Sequence, residues 1–342
     1  MQQPLVSIIC LCYNHEKFVA EAIQSVLLQT YKNIELIIVD DASTDSSSKI
    51  IEDVLDGVNV SSLTEKTKND TSGLQIPPVF IQNSTNMGNC RAFNMALNRA
   101  TGKYIIDLAA DDVLLDDRVE KQVKAFEQLD EQYVVVFSNA VQINEKGEVL
   151  GYHYPIDKAG KSKQQVPQGD VYKNVLQGYF INTASMMMRT KVLRQIGGYD
   201  ETLSYEDFDF WVRTARHYLY HYLDEVTTMK RVVRNSLSSK FYLKNNNDHL
   251  RSTLKVCYNA LEQNTTNEEN KLLAIQASYY LRQSYYLQHF DLVEAYHELL
   301  KKLNYRSKLT QFFVFLSQYR IKVFRLYRLY LKLRQWAQRR IR

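Results

Sequence analysis

The sequence predicts an α/β fold, with a mixed, mostly parallel sheet followed by a C-terminal helical extension. Three observations predict it. Over the first 140 residues, short runs rich in β-branched residues alternate with amphipathic helical patterns, the order that lays parallel strands between two layers of helices. Acidic residues cluster where those strands end. Beyond about residue 241 the strand-like runs stop and helical periodicity continues to the C-terminus.

In chain order, "LVSIICLCY" (5–13) is apolar almost throughout, as a strand covered on both faces requires. "EKFVAEAIQSVLLQ" (16–29) has apolar residues at helical spacing behind a capping Asn14. "IELIIVD" (34–40) reads as the second strand and "STDSSSKIIEDVL" (43–55) as the second helix. A polar stretch over 57–78 is expected to be a surface insertion. Strand "VFIQ" (79–82), a helix near 89–99, strand "KYIIDLA" (103–109), a helix near 116–129 and strand "YVVVFSN" (133–139) complete the alternation. Met186, Met187 and Met188 are expected to fill the core, and Gly197 and Gly198 to form a turn with positive φ. Residues 241–300 are helical in pattern, with a hairpin expected near "QHFD".

Composition excludes several classes. With 342 residues, 45% hydrophobic and 24% charged, the chain has the balance of a soluble globular protein. No apolar run approaches the roughly 18 to 20 residues that span a bilayer, and no signal-peptide pattern precedes the first strand. Cys10, Cys12, Cys90 and Cys257 lack the paired spacing of a zinc site, which points to reduced thiols and a cytoplasmic location. His217 and His221 stand four apart without a third ligand and are read as packing.

The acids carry the chemistry. Asp40, Asp41 and Asp45 follow the second strand, and Asp111 and Asp112 follow "IIDLAA". Ligands in such sheets bind beyond the carboxyl ends of strands. No G-x-G-x-x-G follows the first strand, which excludes the usual dinucleotide cradle. Carboxylates there suit recognition of a base and ribose, with a metal bridging to phosphate.

Three ordered segments, "VSIICLCYNHEKFVAEAIQSVLLQTYKNIELIIVDDASTDSS", "NMGNCRAFNMALNRATGKYIIDLAADD" and "IGGYDETLSYEDFDFWVRTA", resemble the family 2 glycosyltransferases of GT-A fold over roughly residues 4–240. The resemblance implies inverting, hexosyltransferase-like transfer of a sugar from a nucleoside diphosphate donor, often a UDP-sugar, to an acceptor hydroxyl. It implies that Asp40 reads the base with Asp41 in support, and that Leu11, Cys12, Tyr13 and Asn14 line the nucleotide. It places Asp111 as ligand of Mn2+ or Mg2+, Asp207 as catalytic base with Glu206 beside it and Asp209 as a further candidate, and Trp211 facing the acceptor. Ala109 stands where the first acid of the family's D-x-D is common, and Val233 where a histidine is frequent. Arg231 or Arg234 are the candidate compensating cations. These departures leave a non-catalytic nucleotide-sugar-binding or scaffold subunit as the alternative.

The expected organisation is a catalytic domain over 1–240, a helical extension over 241–305 and a basic amphipathic helix over 306–342. That last segment holds eleven Lys or Arg and no Asp or Glu, with Leu316, Tyr319, Val323, Tyr327 and Tyr330 at about helical spacing. Such a helix suits an anionic bilayer surface, at the inner face of the cytoplasmic membrane, with a lipid-linked or glycan acceptor. No motif supports nucleic acid.

Overall fold

The computed structural model describes residues 3–57, 74, 76–233 and 247–341; most of the polar stretch 57–78, and Arg234, lie outside these. The chain divides into two compact units, Met1–Tyr172 with Tyr179–Val233, and Lys173–Gly178 with Arg234–Arg342.

The first unit is built on a single sheet. Its strands are β1 (Val6–Cys12), β2 (Ile34–Asp40), β3 (Val79–Gln82), β4 (Tyr104–Ala109), β5 (Val113–Leu114), β6 (Tyr133–Ile143), β7 (Val149–Tyr152), β8 (Met187–Arg189) and β9 (Leu219–Arg231). Their order is β3-β2-β1-β4-β8-β6-β9-β5, with β7 added to β6. β1 runs parallel to β2 and β4, and β2 to β3; β8 is antiparallel between β4 and β6. Every residue of β1 and β2 is buried, which explains why their sequences do not alternate.

Helices cover both faces: α1 (Val19–Leu27), α2 (Ser47–Leu55), α3 (Asn89–Leu97) and α4 (Arg118–Glu127). On one face Val6, Ile8, Cys10 and Cys12 meet Val19, Ile23 and Val26 of α1, Ile51 and Val54 of α2, and Val119, Val123 and Phe126 of α4. The helices therefore bury the i, i+3, i+4, i+7 stripes that mark them in sequence. All four cysteines are buried and free, and Met186, Met187 and Met188 sit in the core.

At the lower edge of the sheet, buried Glu35 accepts hydrogen bonds from Ser7 Oγ (2.5 Å), Thr101 N (2.7 Å) and Thr101 Oγ1 (2.9 Å). At the upper edge the chain continues by short bonds between neighbouring strand ends: Asp41 N to Cys12 O (2.8 Å), Ala110 N to Leu11 O (2.9 Å) and Asn83 N to Asp40 O (2.9 Å). Those bonds bring the acidic loops side by side.

After α6 (Thr190–Gln195) and α7 (Asp207–Ala215) of the first unit, the second unit is helical: α5 (Tyr172–Gln177), which begins at the last residue of the first unit's first segment, then α8 (Asp248–Gln263), α9 (Asn267–Tyr286), α10 (Phe290–Lys302), α11 (Lys308–Gln318) and α12 (Phe324–Ile341). A capping box between Thr266 and Glu269 starts α9, and left-handed Gln288 ends it, so the hairpin turns where "QHFD" stands. The tail is not one continuous helix as expected. Arg320 adopts φ 51°, its N–H bonds Ser317 O and that of Ile321 bonds Leu316 O, a Schellman stop that separates α11 from α12. Nor do the expected apolar residues share one face: Tyr327 stacks on Tyr286 with ring centroids 4.6 Å apart, whereas Tyr319 and Tyr330 are exposed. No described helix is long and apolar enough to cross a membrane.

Candidate active site

The first wall of the site is made by the loops after β1 and β2. Asn14 (φ 58°) and Ala42 (φ 61°) both take the left-handed conformation, which lets the two loops face each other. Asn14 Oδ1 accepts from Thr44 N (2.8 Å) while Asn14 N donates to Ser43 Oγ (2.9 Å). Asp45 accepts from Glu16 N (3.1 Å) and Ser47 N (2.9 Å). Between the loops lies Asp40, fully buried, its carboxylate receiving the hydroxyl and N–H of Ser43. Leu11 and Cys12 are buried, so their contribution to a ligand surface is backbone, whereas Tyr13 presents an exposed ring.

Asp41 points the other way and holds the next loop. Its carboxylate accepts from Asn83 Nδ2 (2.9 Å), Met87 N (2.9 Å) and Gly88 N (2.8 Å), which fixes the turn into α3. The residue after Gly88, Asn89, donates to Glu206 Oε2 (2.6 Å). Asp41 thus positions the acidic side of the site through one loop.

The Asp111–Asp112 pair occupies a tight turn between β4 and β5, closed by Asp112 N to Ala109 O (2.9 Å). Asp111 keeps partial exposure; Asp112 is buried and accepts the N–H of Arg231 (2.8 Å). Burial, then the charge of Asp111, raises the Asp112 carboxyl to about 7, against the opposing charges of Lys230 and Arg118. Two adjacent aspartates are tolerated at a strand end because the protein supplies a backbone donor and cations of its own.

Arg231, a candidate compensating cation, is committed elsewhere. Its guanidinium donates to Asp111 O (2.9 Å), Asn144 O (3.2 Å) and Glu21 Oε2 (2.6 Å) and lies over the Phe18 ring. It clamps the end of β9 and is not free for a ligand. Lys230, its neighbour, takes the open role: its charge acts on Asp112, Glu206 and Asp207, and among the described residues its ammonium makes no ion pair. Arg118 is fully buried, donates to Ala184 O (2.6 Å), Met186 O (2.9 Å) and Thr228 Oγ1 (2.8 Å), and is pushed down to about 9 by burial.

The expected catalytic carboxylates stand at the start of α7 (Asp207–Ala215), with Glu206 as its N-cap. α6 (Thr190–Gln195) precedes them and ends in the expected glycine turn, Gly197 at φ 80° and Gly198 at φ 73°. Asp207 is partly buried; Phe208 N donates to its Oδ1 (2.7 Å) and Thr183 Oγ1 lies 3.5 Å from Oδ2. Burial, then the Glu206 charge, raises Asp207 to about 7. Glu206 and Asp107 of β4 are also raised by burial, and Tyr199 Oη donates to Asp107 (3.2 Å). Asp209 faces inward, 1% exposed and paired with Arg213 (2.7 Å), which removes it as a base.

Trp211 does not face an acceptor. Its indole is 1% exposed and donates to Met186 Sδ (3.3 Å), because the helix turns that side chain into the core. Tyr179, exposed and edge-on to Trp211 at 5.5 Å, is the aromatic surface there. Sequence reasoning missed Lys230, Arg118, Asn89 and Asp107. Only Asp107 left a signal, a charge inside an otherwise apolar strand and in phase with Asp111.

Among the described residues no group of three or more His, Cys, Asp or Glu is placed to hold a metal ion. Asp111 is the one partly exposed carboxylate at the turn. That donor set fits Mg2+ or Mn2+ held by one carboxylate plus the phosphates of a ligand, since such ions need no all-protein cage.

Comparison with known proteins identifies the family of the chain. The model of the glycosyl transferase family 2 matches residues 7–197, and the chain belongs to that family. An uncharacterized glycosyltransferase of Methanocaldococcus jannaschii is 30% identical over 68% of this chain and 72% of its own length. EpsE of Bacillus subtilis, named as a glycosyltransferase, is 32% identical over 61% of this chain and 66% of its own. S. aureus TarS 1-349 in complex with UDP shares the fold with TM-score 0.63 at 16% identity, over 92% of this chain and 87% of that one. A mannosyltransferase of Pyrobaculum calidifontis in complex with GDP-Man and Mn2+ superposes with TM-score 0.54 at 13% identity, over 94% and 86%.

Asp41→Asn should destabilise the ligand-free chain by about 2–3 kcal/mol, because an amide nitrogen would face the N–H groups the carboxylate now satisfies. A lowered urea midpoint measures it.

Proposed function

We propose that the chain transfers a sugar, with inversion, from a UDP-sugar to a hydroxyl of a lipid-linked or polysaccharide acceptor in surface-glycan synthesis. The observation that carries this reading is Asp207, a partly buried carboxyl at a helix start whose proton affinity is raised to about 7. A base near the working pH accepts a proton most effectively. Inversion in one displacement needs a single carboxylate on the face opposite the leaving group, and Asp207 fills that position with Glu206 shaping its field.

The donor's base and ribose fit the loops after β1 and β2, with Asp40 as the carboxylate between them. A uridine donor is favoured by the likeness to TarS, whose structures are complexes with UDP and UDP-GlcNAc. The departing diphosphate carries charge that must be met as it develops. Lys230 supplies fixed positive charge. When bound, Mn2+ or Mg2+ supplies Lewis-acid charge at the diphosphate, and Asp111 is the side chain that would hold it. Tyr179 offers the acceptor a stacking face.

An anionic membrane surface suits the tail. Leu326, Leu329 and Leu333 are exposed on α12, and the acid-free segment 306–342 carries eleven basic residues. This supports a peripheral position at the cytoplasmic face of the membrane.

Asp207→Asn should retain UDP affinity within about twofold and lose at least 10²-fold in kcat. For the unaltered protein, kcat/KM should fall about tenfold per pH unit below about 7, because the carboxyl must be ionised to accept the acceptor's proton. Transfer unaffected by the substitution would remove Asp207 as base, and a wild-type chain that binds UDP without turnover would favour the binding-subunit reading. A separate vesicle-flotation assay tests the tail. Replacing Leu326, Leu329 and Leu333 by Ser, with Phe313 and Tyr327 left in place, should release the protein from anionic vesicles; unchanged flotation contradicts the membrane role.

A further inference from the structure

The second unit contains a cavity of about 530 Å³ at the junction of α10 and α11. Its walls include His297, Lys301, Arg306, Ser307 and Thr310. The chain reaches it through a Schellman turn at Asn304 (φ 51°), with Tyr305 N bonded to Leu300 O, which reverses direction and sets Ser307 at the start of α11. α11 has 11 residues, and the Ser307 side chain caps none of its N–H groups.

Two independent features show that something polar belongs in this space. Thr310 is 4% exposed and lines the cavity, yet its hydroxyl has no hydrogen-bond partner among the described residues. His297 Nδ1, on the facing helix, is also buried without a partner. An unpaired buried hydroxyl costs folding free energy that valine, of equal volume, would avoid. An acceptor for that hydroxyl set at a positive helix end describes an anion. The charge agrees: no carboxylate is among the described wall residues. Arg306 forms no ion pair among the described residues, although Lys301 is shared with Glu298 at 2.6 Å.

We propose that this cavity binds a phosphoryl group, borne either by a lipid headgroup or by a soluble phosphate ester. A phosphate oxygen meets the first-turn N–H groups of α11 and the Thr310 hydroxyl, while Arg306 and Lys301 balance its charge. The volume lies in the range of small-ligand sites, leaving room for the group that carries the phosphate. Leu309 and Phe312, exposed on the same helix, would stand beside a lipid so held. The site lies wholly in the second unit and is independent of the sugar-donor reading.

The test uses the full chain, with Thr310→Val and Arg306→Gln as variants and inorganic phosphate as the first probe, against chloride at equal ionic strength. Phosphate should raise the wild-type melting temperature saturably. Thr310→Val should leave the unliganded melting temperature unchanged or higher while weakening phosphate at least about fivefold, and Arg306→Gln should weaken it about tenfold. A second arm compares flotation with phosphatidylcholine vesicles carrying phosphatidic acid or phosphatidylglycerol at equal surface charge. Preference for phosphatidic acid that both variants erase identifies a lipid headgroup; a phosphate response without that preference identifies a soluble ester. Absence of both responses, or responses that both variants leave intact, overturns the proposal.

Discussion

The hydrogen bond from the Arg231 backbone to the buried carboxyl of Asp112 is the contact on which the first unit's chemistry depends. It joins the last residue of β9 to the turn that follows β4, two segments more than a hundred residues apart. The Arg231 guanidinium locks the join by reaching Asp111 O, Asn144 O and Glu21. Because the join is fixed, Lys230 is delivered among the acids rather than into solvent. The residue that looks most like a ligand-binding cation is the structural one, and its neighbour carries the open charge.

The acids gathered here are held at an electrostatic cost. Asp107, Asp112, Glu206 and Asp207 all have raised proton affinity, with burial as the first cause in each. Such tension is typical of sites where a positive or proton-donating partner arrives, because charge brought by a ligand relieves it. In the proposed role of Asp207 the same raised affinity is useful, because a carboxyl poised near neutrality can take a proton and release it again. Asp40 is satisfied by Ser43 of its own loop and Asp41 by Asn83, Met87 and Gly88 of the loop after β3, so the two carboxylates shape the pocket by fixing its walls.

Much of this was legible in the sequence. The fully apolar β1 and β2, the strand-end acids and the glycine turn at Gly197 and Gly198 follow from local rules that tertiary packing does not override. Side-chain direction was not legible. Trp211 and Asp209 stand in the same short segment as Asp207, yet α7 turns both inward, and only the helix phase separates them. Lys230 could not be distinguished from Arg231 by type or position, because the difference lies in partners contributed by α1 and by the loop after β6. The tail illustrates the same limit: an apolar spacing that continues through Arg320 in sequence is broken in space by one left-handed residue.

Calorimetric titration of the full chain with UDP, first in EDTA and then with Mn2+, tests the strand-end site most directly. One-to-one binding that persists in EDTA and tightens with Mn2+ is the result the proposed function predicts, since in that reading Lys230 provides charge without metal and Asp111 would hold the ion alongside the diphosphate. Absence of UDP binding under both conditions would contradict the assignment of these strand ends as a nucleotide-sugar site.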